Sequence, residues 1–372
     1  MNQNKKLLAL LLAFGAPLLG LGNLAHAQEG VTKTSIVLGQ SVAQTGPSSQ
    51  LGQQFALGAK LYFDRINTTG GINGRTIDVV TLDDAGEPAN TVTNTRKLLA
   101  QGVLSLFGYY GSPQLTAAYA AAKGSDVMFF APMAAADEFR GSLYPNVYSV
   151  RPGYSEEAAA ITRHAETLGV RKLAILHSAD GESMAALEAA ERTMTGLGAN
   201  IVVKAPIENV ERALQAKPES VLVISDPKGA ATAIRGLRVG QFRGPVYGFS
   251  NTGESLLAEQ LGAQGAGVIV ARVVPKSDNS KFAVVRELQA DLAAAKLGKP
   301  NVYMLEGYIA AHVYSYALRN AGKDPTRAKL KTAMEALNDV NIGDFRVHFA
   351  QDRVASKLVQ LGVIDSTGRV RE

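Results

Sequence analysis

Gly108-Tyr109-Tyr110-Gly111-Ser112-Pro113 is the stretch of this chain best equipped to hold a ligand. It follows the apolar run 103–107 and opens an alanine-rich helical pattern from Gln114. A strand that turns through glycine into a helix beginning with Ser and Pro leaves main-chain N–H groups unpaired and pointing outward. Such a turn cradles a small anion, a task that needs donors and no reactive side chain. The same residues also read as an ordinary strand-to-helix junction, with Ser112 as a helix cap and Tyr109 packed on a surface.

Reactive chemistry is thinly represented elsewhere. His164, His177, His312 and His348 are scattered and form no close metal-ligand spacing. Gly248-Phe249-Ser250-Asn251-Thr252-Gly253 has one residue too many before its second glycine for a nucleophile elbow, and no His–acid pair accompanies it. Gly196-Leu197-Gly198 lacks the third glycine of a dinucleotide fingerprint, and no phosphate-binding loop motif occurs. The chain has no cysteine, which excludes thiolate metal sites and cysteine nucleophiles. A binding protein without cofactor or metal is expected, not an enzyme.

The first residues bear on where it works. Lys5-Lys6 precede an apolar run from Leu7 to Leu24, interrupted by Gly15 and Pro17, and Ala25-His26-Ala27 has the small-x-small pattern of a cleavage site. This reads as a secretory signal peptide over 1–27, cleaved after about Ala27. A lipid anchor would need a cysteine at the new N-terminus, so a freely diffusing periplasmic protein is expected. Without the two leader lysines the formal charge falls from +5 to +3, with 36 basic and 33 acidic residues dispersed along the chain. No basic stripe marks a nucleic-acid groove, and no later run is apolar enough to span a bilayer.

The elements that must position the turn alternate. Strands are predicted at 35–38, 76–82, 103–107, 127–130, 172–176, 200–204, 220–224, 246–247 and 268–271. Helices are predicted at 52–67, 88–100, 114–123, 155–168, 182–197, 228–239 and 254–261. Alternation of this kind signals parallel sheets covered by helices, and the run Val221-Leu222-Val223-Ile224 fits a strand buried on both faces. Three helices follow, near 279–295, 302–320 and 325–337, and then a β-rich section from Phe345. Tyr148-Ser149-Val150-Arg151-Pro152-Gly153 reads as an extended linker, so two α/β lobes are favoured over one large sheet.

Several motifs succeed one another in a known order: Gln44-Thr45-Gly46-Pro47, Gly58-Ala59, Asp64-Arg65-Ile66-Asn67, Gly70-Gly71-Ile72-Asn73-Gly74-Arg75, Asp83-Asp84, Leu305-Glu306-Gly307-Tyr308 and Gly343-Asp344-Phe345. In this the chain resembles the branched-chain amino-acid (Leu/Ile/Val)-binding proteins, the type I periplasmic solute receptors of ABC importers. The resemblance implies an α/β fold of two Rossmann-like lobes joined by three crossovers, with a ligand cleft between them. The crossovers would fall near Val150–Arg151, Val274–Pro275 and Gly343–Asp344. That gives one lobe from 28–150 plus 276–343 and another from 151–275 plus 344–372. Cleft ligands of such sheets lie beyond the carboxyl ends of the strands.

Residue by residue, the resemblance places a ligand carboxylate on Tyr110, Gly111 and Ser112 and on the next turn at Ala134 and Ala135. Ala135 stands where a threonine hydroxyl is expected, so half of the side-chain clamp is missing. In the second lobe Asp180 lies near the place of a tyrosine, Asp226 where an aromatic often faces the ligand, and Ser250 where an acid receives an ammonium. Asp180 and Asp226 either replace that acid together or act as helix N-caps. Leu51, Tyr110, Tyr154 and Phe249 are candidate apolar walls. The segment 205–219 is shorter than the family's, read either as surface loss or as a changed cleft rim.

The expected function is capture of a small carboxylate-bearing solute, amino-acid-like or an aromatic or aliphatic acid, for an inner-membrane ABC permease. A monomer is expected, with no nucleic-acid partner. The alternatives are a ligand sensor of the same fold coupled to a signalling partner and, more remotely, a periplasmic hydrolase.

Overall fold

The computed structural model describes residues 30–46 and 49–371; the expected leader lies outside them. The chain begins with β1 (Ser35–Val42), α1 (Ser49–Thr68), β2 (Thr76–Asp83), α2 (Pro88–Ala100), β3 (Ser105–Phe107), α3 (Ser112–Ala121), β4 (Met128–Phe130) and β5 (Val147–Tyr148). These strands form one five-stranded sheet in the order β2-β1-β3-β4-β5, and every pair is parallel. A second series follows: α4 (Tyr154–Thr167), β6 (Leu173–His177), α5 (Gly181–Gly196), β7 (Ile201–Pro206), α6 (Val210–Gln215), β8 (Ser220–Ile224), α7 (Pro227–Val239), β9 (Val246–Gly248), α8 (Glu254–Leu261) and β10 (Val268–Arg272). The chain ends with α9 (Ala283–Ala294), α10 (Val302–Asn320), α11 (Arg327–Glu335), β11 (Val340–Ile342), β12 (Phe345–Val347), β13 (Gln360–Ile364) and β14 (Val370–Arg371).

The second sheet runs β14-β13-β10-β9-β8-β6-β7. Its five inner and β7-side strands are parallel, while β13 joins β10 antiparallel. All five residues of β8 are buried, as expected for an apolar run with helices on both faces. The result is an α/β protein of two lobes, each a largely parallel sheet with apolar clusters on both faces.

Caps and turns explain where the helices start. Asp226 accepts from the Gly229 N–H at 2.7 Å and Pro227 occupies the first turn of α7, a residue type tolerated there because its missing N–H has no helical partner. Asn301 caps α10 in the same way. The α10 helix is buried nearly all round, and it can lie against α1 because both carry glycine at the crossing. A β-carbon on Gly58 would stand 1.9 Å from the Met304 carbonyl oxygen, and one on Gly307 would stand 2.0 Å from that of Phe55.

The helices α9, α10 and α11 share a core with β1, β3 and β4, through Val285, Leu305, Leu330, Leu38, Phe107 and Phe130. The expected crossover at Gly343–Asp344 is corrected. Those two residues form the turn of a β11–β12 hairpin, with Ile342 opposite Phe345. Both have positive φ, 56° and 72°, the backbone of a two-residue hairpin loop. Phe345, Val347 and Phe349 remain in the first lobe's core. The chain leaves that lobe later, after Val354, which bridges Ser149, and before β13. The segment 205–219 holds the end of β7 and the single short helix α6, at the outer edge of the second sheet.

Candidate functional site

The two turns at the carboxyl ends of β3 and β4 are zipped together. Met133 donates its N–H to the Tyr109 carbonyl at 2.7 Å, and Gly111 donates to that of Met133 at 3.1 Å. Gly111 has φ of 95°, which swings the chain into α3 and aims its first N–H groups away from the strand. Ser112 is buried, and its Oγ accepts from the Ala136 N–H at 3.2 Å. Ala134 and Ala135 are also buried, and among the described residues their N–H groups meet no acceptor. Their carbonyls are engaged: that of Ala134 accepts from Arg140, and that of Ala135 from the Tyr154 N–H at 2.9 Å.

Opposite these turns stands the start of α5. Glu182 reaches across the cleft and accepts from the Ser112 N–H with one carboxylate oxygen. Its other oxygen accepts from the Tyr154 hydroxyl at 2.6 Å. Burial and the Glu182 charge push the Tyr154 phenol well above its ordinary range. Tyr110 is likewise raised, by burial first and then by Glu182, Asp180 and Asp226. The Tyr154 ring packs 5.2 Å from that of Phe249.

Asp180 and Asp226 are helix caps. Asp180 accepts from the Ser183 N–H at 3.0 Å and from its hydroxyl at 2.7 Å, just as Asp226 serves α7. Of the two sequence readings, the helix N-cap describes both residues. Leu51 and Tyr110 are buried in the first lobe's core and Phe249 in that of the second, so these three contribute apolar packing.

Around Ser250 the sequence missed a charged cluster. Glu157 accepts from the Ser250 N–H at 2.7 Å and from its hydroxyl at 2.8 Å. Arg151 donates to Ser250 Oγ and pairs with Glu157 at 3.1 Å and with Glu306 at 3.5 Å. All three charged groups are buried. Burial raises the Glu157 and Glu306 carboxyls above their ordinary range. For Arg151, burial works in the opposite direction, but Glu306 and Glu157 outweigh it and hold the guanidinium above its ordinary value. The Tyr303 hydroxyl donates to the Ser250 carbonyl at 2.6 Å.

An acid therefore does lie beside position 250, supplied by α4 and not by the residue itself. The available signals were Arg151 in the linker and Glu306 in the Leu-Glu-Gly-Tyr motif; nothing local showed that they meet. The cluster has no histidine to act as a base toward Ser250, whose hydroxyl is held between Glu157 and Arg151. Among the described residues no group of three or more His, Asp or Glu is arranged to hold a metal ion, and no helix is long and apolar enough to cross a membrane.

A groove of about 1210 Å³ opens outside the Ser112–Glu182 contact, with Pro113, Thr116 and Ala117 on one wall and Gly181, Met184 and Ala185 on the other. The arrangement seats the Glu182 carboxylate between a main-chain donor of one lobe and a tyrosine hydroxyl of the other, beside apolar walls.

Residues 35–369 match the family model described as periplasmic binding protein. A Leu/Ile/Val-binding protein, BraC3, of Rhizobium johnstonii is 24% identical over 327 residues, covering 85% of this chain and 86% of that one. The chain is similar to an extracellular ligand-binding receptor from Verminephrobacter eiseniae, with a TM-score of 0.84 and 24% identity over 91% of this chain and all of the other. It is also similar to a fatty acid ABC transporter substrate-binding protein from Thermomonospora curvata, with a TM-score of 0.81 and 22% identity over 92% of each chain.

Proposed function

Because this chain belongs to the periplasmic binding protein family, we propose that it is the substrate-binding component of an ABC importer and captures a small monocarboxylate with an apolar or aromatic remainder. The observation that carries this reading is the Glu182 carboxylate, which already accepts from the Ser112 N–H and the Tyr154 hydroxyl. An anchor that suits one carboxylate suits another, and the unpaired Ala134 and Ala135 N–H groups lie in the neighbouring turn. The ligand bridges the lobes, stabilises the closed form, and a permease reads the closed outer faces.

The uncharged remainder follows from the acids nearby. Glu157 spends both oxygens on Ser250 and Arg151, Glu182 spends both on the Ser112 N–H and the Tyr154 hydroxyl, and Asp180 and Asp226 are committed to helix caps. An ammonium buried without a free acid would cost several kcal/mol. The Thermomonospora neighbour, a fatty acid ABC transporter substrate-binding protein, has the same fold, and a fatty acid carries no ammonium.

Isothermal titration of refolded protein with phenylacetate, isovalerate and L-leucine tests this. Binding of either monocarboxylate ahead of leucine is expected. Tight leucine binding with no response to the two acids would defeat the reading, and would turn attention to Glu306, which among the described residues pairs with Arg151 alone.

A further inference from the structure

Glu182 of the second lobe sends its side chain into the first lobe's anchor, where it accepts from the Ser112 N–H. Its position near the start of α5 does not require this. An acidic residue in the first turn interacts favourably with the helix dipole while facing water. Here the carboxylate turns inward instead, and its two oxygens take one donor from each lobe, the Ser112 N–H and the Tyr154 hydroxyl. Two other contacts hold α5 against the first lobe. Gly181 lies against Pro113, and Arg192 pairs with Asp137.

We propose that Glu182 is an internal carboxylate latch: it fills the anion anchor, holds the lobes together, and must be displaced by any acid that binds there. The competition rests on the carboxylate reading of the anchor given above. One N–H cannot serve two carboxylates at once, and their like charges oppose sharing the site. Apparent affinity is then lowered by the fraction of molecules in which the anchor is occupied by Glu182. The latch also sets specificity. Acetate has a carboxylate but little apolar surface to offset the displaced contacts, whereas phenylacetate can bury a ring against the cleft walls.

The test compares the wild type with Glu182→Ala and Glu182→Gln in the full mature chain. Titration with phenylacetate and isovalerate is expected to give about tenfold tighter binding to Glu182→Ala, the loss of a charge-assisted hydrogen bond pair in competition. Glu182→Gln should lie between the two. The chain has no native cysteine, so spin labels at Lys123→Cys and Lys228→Cys, both exposed, can report the distance between the lobes without added acid. A longer or broader distance distribution in Glu182→Ala is expected. If both acids bind wild type and Glu182→Ala equally and the distances coincide, the latch is overturned while the anchor reading stands. If Glu182→Ala lengthens the distance but neither protein binds either acid, the latch between lobes is supported and the carboxylate ligand fails. Glu182→Ala binding more weakly than wild type would overturn the competition and make Glu182 a partner of the ligand.

Discussion

Pro113 of the first lobe and Gly181 of the second touch so closely that a β-carbon on the glycine would stand 2.3 Å from Pro113 Cγ. The proline ring has little freedom to retreat, so a side chain at position 181 can be relieved only by parting the lobes. Gly181→Val is therefore expected to act as a wedge. Overpacking of this kind costs about 1–3 kcal/mol and falls on the closed form alone. Ligand affinity should drop about tenfold while the thermal midpoint changes little. Small-angle scattering should register a larger radius of gyration. Unchanged affinity would mean that binding does not need this contact.

Glu306 carries the clearest pH expectation. Burial raises its carboxyl above the ordinary 4.5. A raised folded-state value means that the folded protein binds the proton more readily than the unfolded chain. Its contribution to stability is thus fully present below the unfolded value and is lost as pH rises through the folded one. Glu306→Gln mimics the protonated form at every pH. Its stability relative to wild type should improve between about pH 4 and pH 7, as seen in urea midpoints measured at both. A constant or declining difference across that window would contradict the assignment.

Asp226 is expected to matter for stability and not for ligand. Its carboxylate caps α7 through the Gly229 N–H. Removing such a cap in Asp226→Ala should cost about 1 kcal/mol in urea unfolding. Affinity for phenylacetate should stay within about twofold, since the Asp226 carboxylate is committed to its helix cap. A loss of tenfold or more in affinity would return Asp226 to the ligand site.

The elements legible in the sequence are those whose signals are local. Helices predicted at 88–100, 254–261 and 302–320 coincide with α2, α8 and α10, because each has a proline, glycine or capping residue at its start. The six-residue α6 was missed, since a single turn and a half carries too little periodicity to stand out. The resemblance implies a crossover at Gly343-Asp344, but that pair is suited to a two-residue turn and forms the β11–β12 hairpin.

For the site, the division followed the same line. The turn at Ser112 is readable because a strand-to-helix junction announces itself through glycine, proline and serine, whereas Ala134 and Ala135 are pointed to by the family resemblance alone. Arg151, Glu157 and Glu306 are not readable, because a buried charge cluster is assembled from segments far apart in the chain. Ser250 brings no acid of its own, and the acid that approaches it comes from a helix whose sequence gives no hint of the destination.

Ser149 and Val354 have a consequence for how the molecule moves. Ser149 donates to the Arg353 carbonyl at 3.0 Å, and its own carbonyl accepts from Ala355 at 2.9 Å. Two of the passages between lobes are thereby joined into one ribbon. A ribbon bends readily across its face but resists twisting and in-plane shear, as a leaf spring does. Opening and closing should trace a nearly fixed arc, so that a single angular coordinate carries the news of occupancy to whatever reads the outer faces.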